Sequence, residues 1–260
     1  MSMLGRLRQP TADVITLMQR LLIRYQRRPD VIIFILIQPF ILLLLFRYVI
    51  GGAIHIQGVN YVDYLTPAVV VLAIINASSA LGGGLAEDLT SGAVDRMRVL
   101  PITRSGFLTS RVLYDTARNL FVIPLMWLLG LAVGFHFDGT LGNIVLGSLL
   151  VLALGVAFAW ISIVVGLSGS LEATQGIAIL IFVLAGFVSS GFVPVATMPS
   201  WLQGIANSSP VTHVDNALRI LTTSANGPLT HEVLAALAWI AAIVLVTIPL
   251  AVRRYSRYTR

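Results

Sequence analysis

The run "IVLGSLLVLALGVAFAWISIVVGL", Ile144 to Leu167, contains no charged residue. About 20 apolar residues wound as a helix cover the roughly 30 Å of a bilayer's hydrocarbon core. A run this clean reads as a helix that crosses a membrane. Working outward from it, six segments qualify, at about 31–52, 62–84, 113–134, 143–167, 176–195 and 233–252. The last, "VLAALAWIAAIVLVTIPLAV", is also free of charge, whereas Arg47 interrupts the first, and Asp115 and Arg118 lie at the start of the third. Pro39, Pro124 and Pro249 fall inside spans, which lipid-embedded helices tolerate when neighbours re-satisfy the freed carbonyls. The fold class is all-α: a polytopic membrane protein of six transmembrane helices, with residues 1–260 forming one transmembrane domain.

Composition agrees with that class. Of 260 residues 57% are hydrophobic and 11% charged, with mean hydropathy +0.90, where a soluble domain carries about 25% charge. Cysteine is absent, which excludes disulfides, thiolate metal sites and cysteine nucleophiles. Lysine is absent too, so all 17 basic residues are arginine. A P-loop of the GxxxxGK[ST] form needs its lysine on the phosphates, so this chain has no standard one and is not expected to be an enzyme. Any ATP and magnesium it depends on belong to another polypeptide, and no cofactor is expected on the chain itself. Arginine-only usage with abundant Ala, Val and Gly hints at a GC-rich bacterial genome.

The arginines also set sidedness. Six precede the first span (Arg6, Arg8, Arg20, Arg24, Arg27, Arg28), four surround the segment after the second (Arg96, Arg98, Arg104, Arg111), and four follow the sixth (Arg253, Arg254, Arg257, Arg260). With six spans these groups share one side, and only Arg219 lies on the other. The positive-inside rule makes the arginine-rich side cytoplasmic. Both termini are then inside, in a bacterial plasma (inner) membrane. The pI near 10.3 comes from this topology and not from a nucleic-acid surface. The N-terminus does not read as a cleavable signal, since its apolar run is too long. Before the first span, Val14, Leu17, Met18, Leu21, Leu22 and Tyr25 follow one helical face, opposite Arg20, Arg24, Arg27 and Arg28. Residues 1–30 are therefore expected to form an amphipathic helix lying in the cytoplasmic interface of the lipid bilayer.

Between the second and third spans lies "EDLTSGAVDRMRVLPITR", Glu87 to Arg104. Ser91 or Asp88 can cap a short helix that Pro101 ends. Val94, Met97 and Leu100 form an apolar ridge, Asp95 and Arg98 can pair at i, i+3, and Gly92 frees the turn or admits a partner backbone. So short a helix is unstable alone. The segment is either an ordinary loop whose arginines set topology or a docking element seated in another protein.

The stretch "DLTSGAVDRMRVLPITRSGFLTSRVLYDTAR" resembles the matching stretch of the daunorubicin/doxorubicin-resistance permease family, membrane subunits of type-2 ABC exporters. The family pattern falls on Asp88, Gly92, Val94, Asp95, Arg96, Leu100, Pro101, Arg104, Arg111 and Asp115. A second resemblance, in "GFVPVATMPSWLQGIANSSPVTHVDNALR", falls on Met198, Pro199, Trp201, Leu202, Pro210, Ala217, Leu218 and Arg219, the family's extracellular re-entrant segment. The resemblance implies that residues 86–110, with Met97 and Arg98, are the cytoplasmic coupling segment gripped by a separate ABC ATPase subunit. It implies two permease subunits, identical or related, driven between inward- and outward-facing states. The cargo implied is a lipophilic drug or a lipid-linked compound, with glycolipid, polysaccharide or polyketide-lipid export as the alternative.

Other polar residues qualify this picture. Arg111, Asp115 and Arg118 recur on one stripe of the third span and read as an ion-paired stripe at its cytoplasmic end, or as part of the transport path. Arg47 would be costly at mid-bilayer; it is read as an anchor that can snorkel near the outer end, toward Asp63, with substrate contact as the alternative. An ion-coupled secondary transporter is the remaining transport reading, disfavoured because no acid is expected at the membrane centre. In 195–232, Met198, Trp201, Leu202 and Ile205 make one helical face with Pro199 in its first turn, a short helix that guides an amphiphile or acts as a lid. His213, Asp215 and Glu232 lack metal-ligand spacing. "GLSG", Gly166 to Gly169, has the form of an intramembrane serine protease motif, but the four histidines all read as outside the membrane core.

Overall fold

The computed structural model describes residues 29–50, 60–92, 104–168, 170–223 and 225–258. These residues form helices joined by turns, with no strand among the described residues. In chain order they are α1 (Pro29–Leu45, continued by a π-helical turn at Phe46–Ile50), α2 (Tyr61–Thr90), α3 (Arg104–Ala132) and α4 (Leu141–Gly166). Then come α5 (Leu171–Phe187), a 3₁₀ turn (Val195–Thr197), α6 (Ser200–Ser208), α7 (Pro210–Thr222) and α8 (Leu229–Tyr258). Of the interfacial helix expected over residues 1–30, residues 1–28 lie outside the described residues, and Pro29 and Asp30 open α1.

Every apolar run coincides with a helix, but the runs are not six equal spans. By length and composition α2, α3, α4 and α8 can each cross a membrane, whereas α1 and α5 are 17 residues each. At 1.5 Å per residue α5 reaches about 26 Å, slightly under the hydrocarbon thickness, while the π-helical turn at Phe46–Ile50 extends α1 further. Side-chain oxygens start three of the helices: Asn60 accepts from Val62 N (3.3 Å), Thr140 from Asn143 N (3.3 Å) and Ser170 from Ala173 N (3.3 Å). Each satisfies an amide that has no carbonyl partner in the first turn.

Helix α2 is the axis of the bundle, packed against α1, α3, α4, α5 and α7. Its closest partner is α4, and small residues make the approach possible. A Cβ on Gly82 would fall 2.2 Å from Ser162 O, and one on Gly166 would fall 2.5 Å from Gly82 O. Ser162 Oγ donates to Ser79 O (2.6 Å) and accepts from Gly82 N (2.7 Å), so the hydroxyl bonds directly to the neighbouring backbone. Without a hydrophobic force between helices in lipid, such backbone-level packing holds the pair.

Two apolar clusters fill the bundle. The larger joins Leu65, Ile74, Val122, Met126, Leu154 and Leu218, and the smaller joins Leu85, Leu108, Trp160, Ile163 and Tyr255. On α2 and α3 the buried polar residues Ser78, Asp115 and Asn119 fall between members of these clusters.

Two boundaries differ from the sequence expectation. Helix α3 begins at residue 104 and not near 113, so Asp115 and Arg118 sit near its middle. Helix α5 covers 171–187 and not 176–195, because residues 188–193 form bends. The carbonyls of Ser190 and Gly191 accept from the Arg219 side chain. Hydropathy alone cannot register such a competing donor.

Candidate functional site

The charged segment is framed by a buried ion pair. Asp88, near the end of α2, pairs with Arg111 of α3, and both are buried. The Arg111 guanidinium also lies over the Phe107 ring at 4.9 Å, a favourable cation–π arrangement. Gly92 has φ +68°, just beyond the Ser91 cap, and its amide approaches Leu89 O (3.4 Å). That left-handed residue ends α2, so Gly92 has a structural task at this position whatever else it contacts. Arg104 is the first residue of α3. Val94, Asp95, Arg96, Met97, Arg98, Leu100 and Pro101 lie outside the described residues. What the structure shows is the mount of this segment: two long helices tied together immediately before and after it.

The stripe of Arg111, Asp115 and Arg118 divides between two partners. Arg111 turns to Asp88 of α2, while Arg118 pairs with Asp115 within α3. Asp115 also accepts from Ser78 Oγ of α2 (2.7 Å) and Asn119 Nδ2 (3.0 Å), and Asn119 Nδ2 donates to Ser78 Oγ (3.1 Å). Asp115 is 1% exposed. A carboxylate near the middle of α3 is therefore present, contrary to the sequence reading, but its lone pairs are taken by three side chains. Arg47 also departs from expectation. No ion pair joins it to Asp63, which accepts from His136 N (3.0 Å). The Arg47 guanidinium instead covers Gly134 (φ +98°), where a Cβ would lie 3.2 Å from Nη2.

One face of α2 remains open. In its second half Asn76, Ala80, Gly83, Gly84, Glu87 and Thr90 escape full burial, while the residues between them are buried. Asn76 Nδ2 donates to Gln38 Oε1 of α1 (3.3 Å), an exposed pair of amides. Hydropathy averages over such residues. The available signal is an amide at the centre of each of two neighbouring apolar runs.

At the opposite end of the bundle Arg219 of α7 organises the chain. Its Nε donates to Tyr64 O (3.0 Å), Nη1 to Ser190 Oγ (3.1 Å) and Asn216 Oδ1 (3.3 Å), and Nη2 to Ser190 O (2.8 Å) and Gly191 O (3.0 Å). Its guanidinium lies 3.8 Å from the centre of the Tyr64 ring. Tyr64 Oη donates to Ser190 O (2.6 Å) and Tyr61 Oη to Phe192 O (3.3 Å). Four residues before Arg219, Asp215 is 1% exposed and neither carboxylate oxygen has a hydrogen-bond partner. Burial pushes its carboxyl up to about 7, a rise partly offset by the nearby Arg219 charge. His213 Nδ1 meets Glu232 Oε2 at 2.6 Å, which ties α7 to α8.

The short helix expected from Met198, Trp201, Leu202 and Ile205 is α6, with Pro199 at its N-cap rather than inside its first turn. Trp201 (71%) and Ile205 (56%) point outward. Pro210 occupies the first position of α7, where its missing amide proton costs nothing. An apolar groove of about 650 Å³ is bordered by α4, α5, α6, α7 and α8, and lined by Phe158, Leu184, Ile205 and Trp239. Ser168 of the GLSG motif lies just past the end of α4, donates to Val164 O and contacts Arg254.

Comparison with known proteins agrees with this architecture. Residues 12–222 match the family model for ABC-2 type transporters. The chain is 30% identical to the daunorubicin resistance ABC transporter permease protein DrrB1 of Streptomyces coeruleorubidus, over 93% of this chain and 85% of that protein. It is 29% identical to the probable doxorubicin resistance ABC transporter permease protein DrrC of Mycobacterium tuberculosis, over 94% and 90%. It is 27% identical to the putative transport permease ycf38 of Cyanophora paradoxa, over 80% and 73%. The match over residues 12–222 and these relatives show that the chain, a bundle with several helices long and apolar enough to cross a membrane, belongs to the ABC-2 type transporter family as a multi-pass membrane permease.

Proposed function

We propose that this permease is the membrane subunit of an ATP-driven exporter that moves lipophilic drugs or lipid-linked compounds out of the cytoplasm. A partner ABC ATPase binds ATP and magnesium and grips residues 86–110. The observation that carries this reading is the buried Asp88–Arg111 pair, which ties α2 to α3 on either side of that segment. A push on a loop held this way moves two spans as one body. The work available is the difference in ATP affinity between the closed and open ATPase pair. Arginine placement supports a topology in which the Asp88 end and both termini face the cytoplasm and the Arg219 end faces outside, in a bacterial inner membrane.

The second permease subunit, identical or related, faces the open stripe of α2. Exposed amides in hydrocarbon are unfavourable, and Gln38 and Asn76 form such a pair. A partner permease or a polar passage between the two subunits satisfies them. Glycolipid or polyketide-lipid cargo fits the same machinery.

The test is co-expression with an ABC ATPase subunit from the same organism, followed by reconstitution in proteoliposomes. ATP turnover that depends on the permease is expected, with Asp95→Arg abolishing it while the permease still folds. Uphill transport by the permease alone, or ATPase association untouched by Asp95→Arg and by removal of 93–103, overturns the reading.

A further inference from the structure

The Asp215–Arg219 arrangement holds a contradiction within one turn of helix. A carboxylate four residues before an arginine is well placed to pair with it along a helix. Here the arginine reaches away, and its guanidinium serves the Ser190 and Gly191 carbonyls and Tyr64 O. The carboxyl is left without a donor. A buried anion in that condition is strongly unfavourable, and the neutral acid costs far less. The structure is therefore the arrangement of a protonated Asp215.

We propose that Asp215 and Arg219 form a proton-operated latch: with Asp215 neutral, Arg219 holds the 188–193 turn against α2, and with Asp215 ionised, the guanidinium is drawn to the carboxylate and the turn is released. The two arrangements compete for the same N–H donors, so they are alternatives and not a continuum. The surroundings favour Arg219 as the responding group. From α2, Tyr61 and Tyr64 face the site with hydroxyls already donated to the turn. The turn itself brings Ser189, Ser190 and Gly191, with Gly191 so near that a Cβ there would lie 3.3 Å from Asp215 Oδ2. On α7, His213 is paired with Glu232 of α8, and α4 presents Gly147 to Leu218 without charge. Arg219 is the countercharge that remains. On the extracellular reading of this end, which the consequence for transport rests on, the latch governs the outer mouth of the permease.

Hydrogen–deuterium exchange of the full chain in lipid nanodiscs tests the latch without transport, ATPase or assigned sidedness. With exchange corrected for its intrinsic pH dependence, the 188–193 amides of the wild type should exchange about tenfold faster above the titration of Asp215 than below it, the equivalent of losing one charge-assisted hydrogen bond. Asp215→Asn should keep them slow at every pH, and Arg219→Gln should make them fast at every pH. If Asp215→Asn does not fold, Asp215→Ser carries the same expectation. A wild type with no pH dependence overturns the latch, as does Asp215→Asn keeping the wild-type dependence, or an equal change across α4.

Discussion

Asp115 and Asp215 are the same side chain, each 1% exposed, in opposite circumstances. Asp115 sits between α2 and α3 with Ser78, Asn119 and Arg118 all donating to it. Asp215 sits under the 188–193 turn with no donor at all. Burial by itself therefore says little about what an acid does. The first is a knot whose carboxylate oxygens accept from three side chains, and it ties two spans together. The second has no partner in either protonation state and is far less costly when neutral, so its protonation state and the geometry around it depend on each other.

The largest effect that separates the two is expected from Asp115→Ala. It strands Arg118 in the bundle, and removing one partner of a buried pair costs about 3–5 kcal/mol. Thermal unfolding in nanodiscs should show a large drop, or the protein should fail to accumulate. Asp215→Ala should cost far less, and an equal loss at both sites would break the distinction.

Next comes Arg219→Met, which removes the donors that hold the turn to α2. Hydrogen bonds to a charged group contribute about 1.5–3 kcal/mol each and are not additive, so a loss of about 3 kcal/mol is expected. It should appear as lost exchange protection at 188–193 while α4 stays protected.

The pH dependence is third. The Asp215 carboxyl is raised from 3.8 to about 7 in the folded state, so between those values the folded protein binds more protons than the unfolded one. Its stabilisation is complete below the unfolded value, falls as pH rises and is gone above about 7. Denaturation across that window should show the decline in the wild type, and a shallower decline in Asp215→Asn.

The smallest effect sharpens the other side. Ser78→Ala removes one of three donors to Asp115 and should cost about 1 kcal/mol, read as a modest shift in unfolding midpoint. No shift at all would mean that Asn119 and Arg118 suffice.

Much of the fold was legible in the residues. Uncharged runs such as Ile144–Leu167 and Val233–Val252 could only be helices in lipid, and their structural counterparts are α4 and α8. The candidate site was legible only in part. Arg111, Asp115 and Arg118 stood out as charges in apolar surroundings, yet their spacing suggested one stripe where the structure has two pairings. The partner of Arg111 lies 23 residues earlier, on a helix whose facing cannot be read from a local pattern. Gln38 and Asn76 were hidden for a related reason, being a single amide in each run. Asp215 looked like an ordinary polar residue of an outer segment, because only its neighbours deny it a donor.

By itself the sequence determined that this chain lives in a membrane, which stretches carry its apolar helices and which of its ends gather the arginines. Transfer of a side chain from water to hydrocarbon is nearly a property of that side chain alone, so it can be summed along a chain without knowing the fold. The tertiary structure alone decided that Asp88 holds Arg111, that Arg219 takes the Ser190 and Gly191 carbonyls beyond α5, and that one buried aspartate has donors while another has none. Those outcomes depend on distances between atoms far apart in sequence, and a hydrogen bond falls away steeply once its partners leave contact.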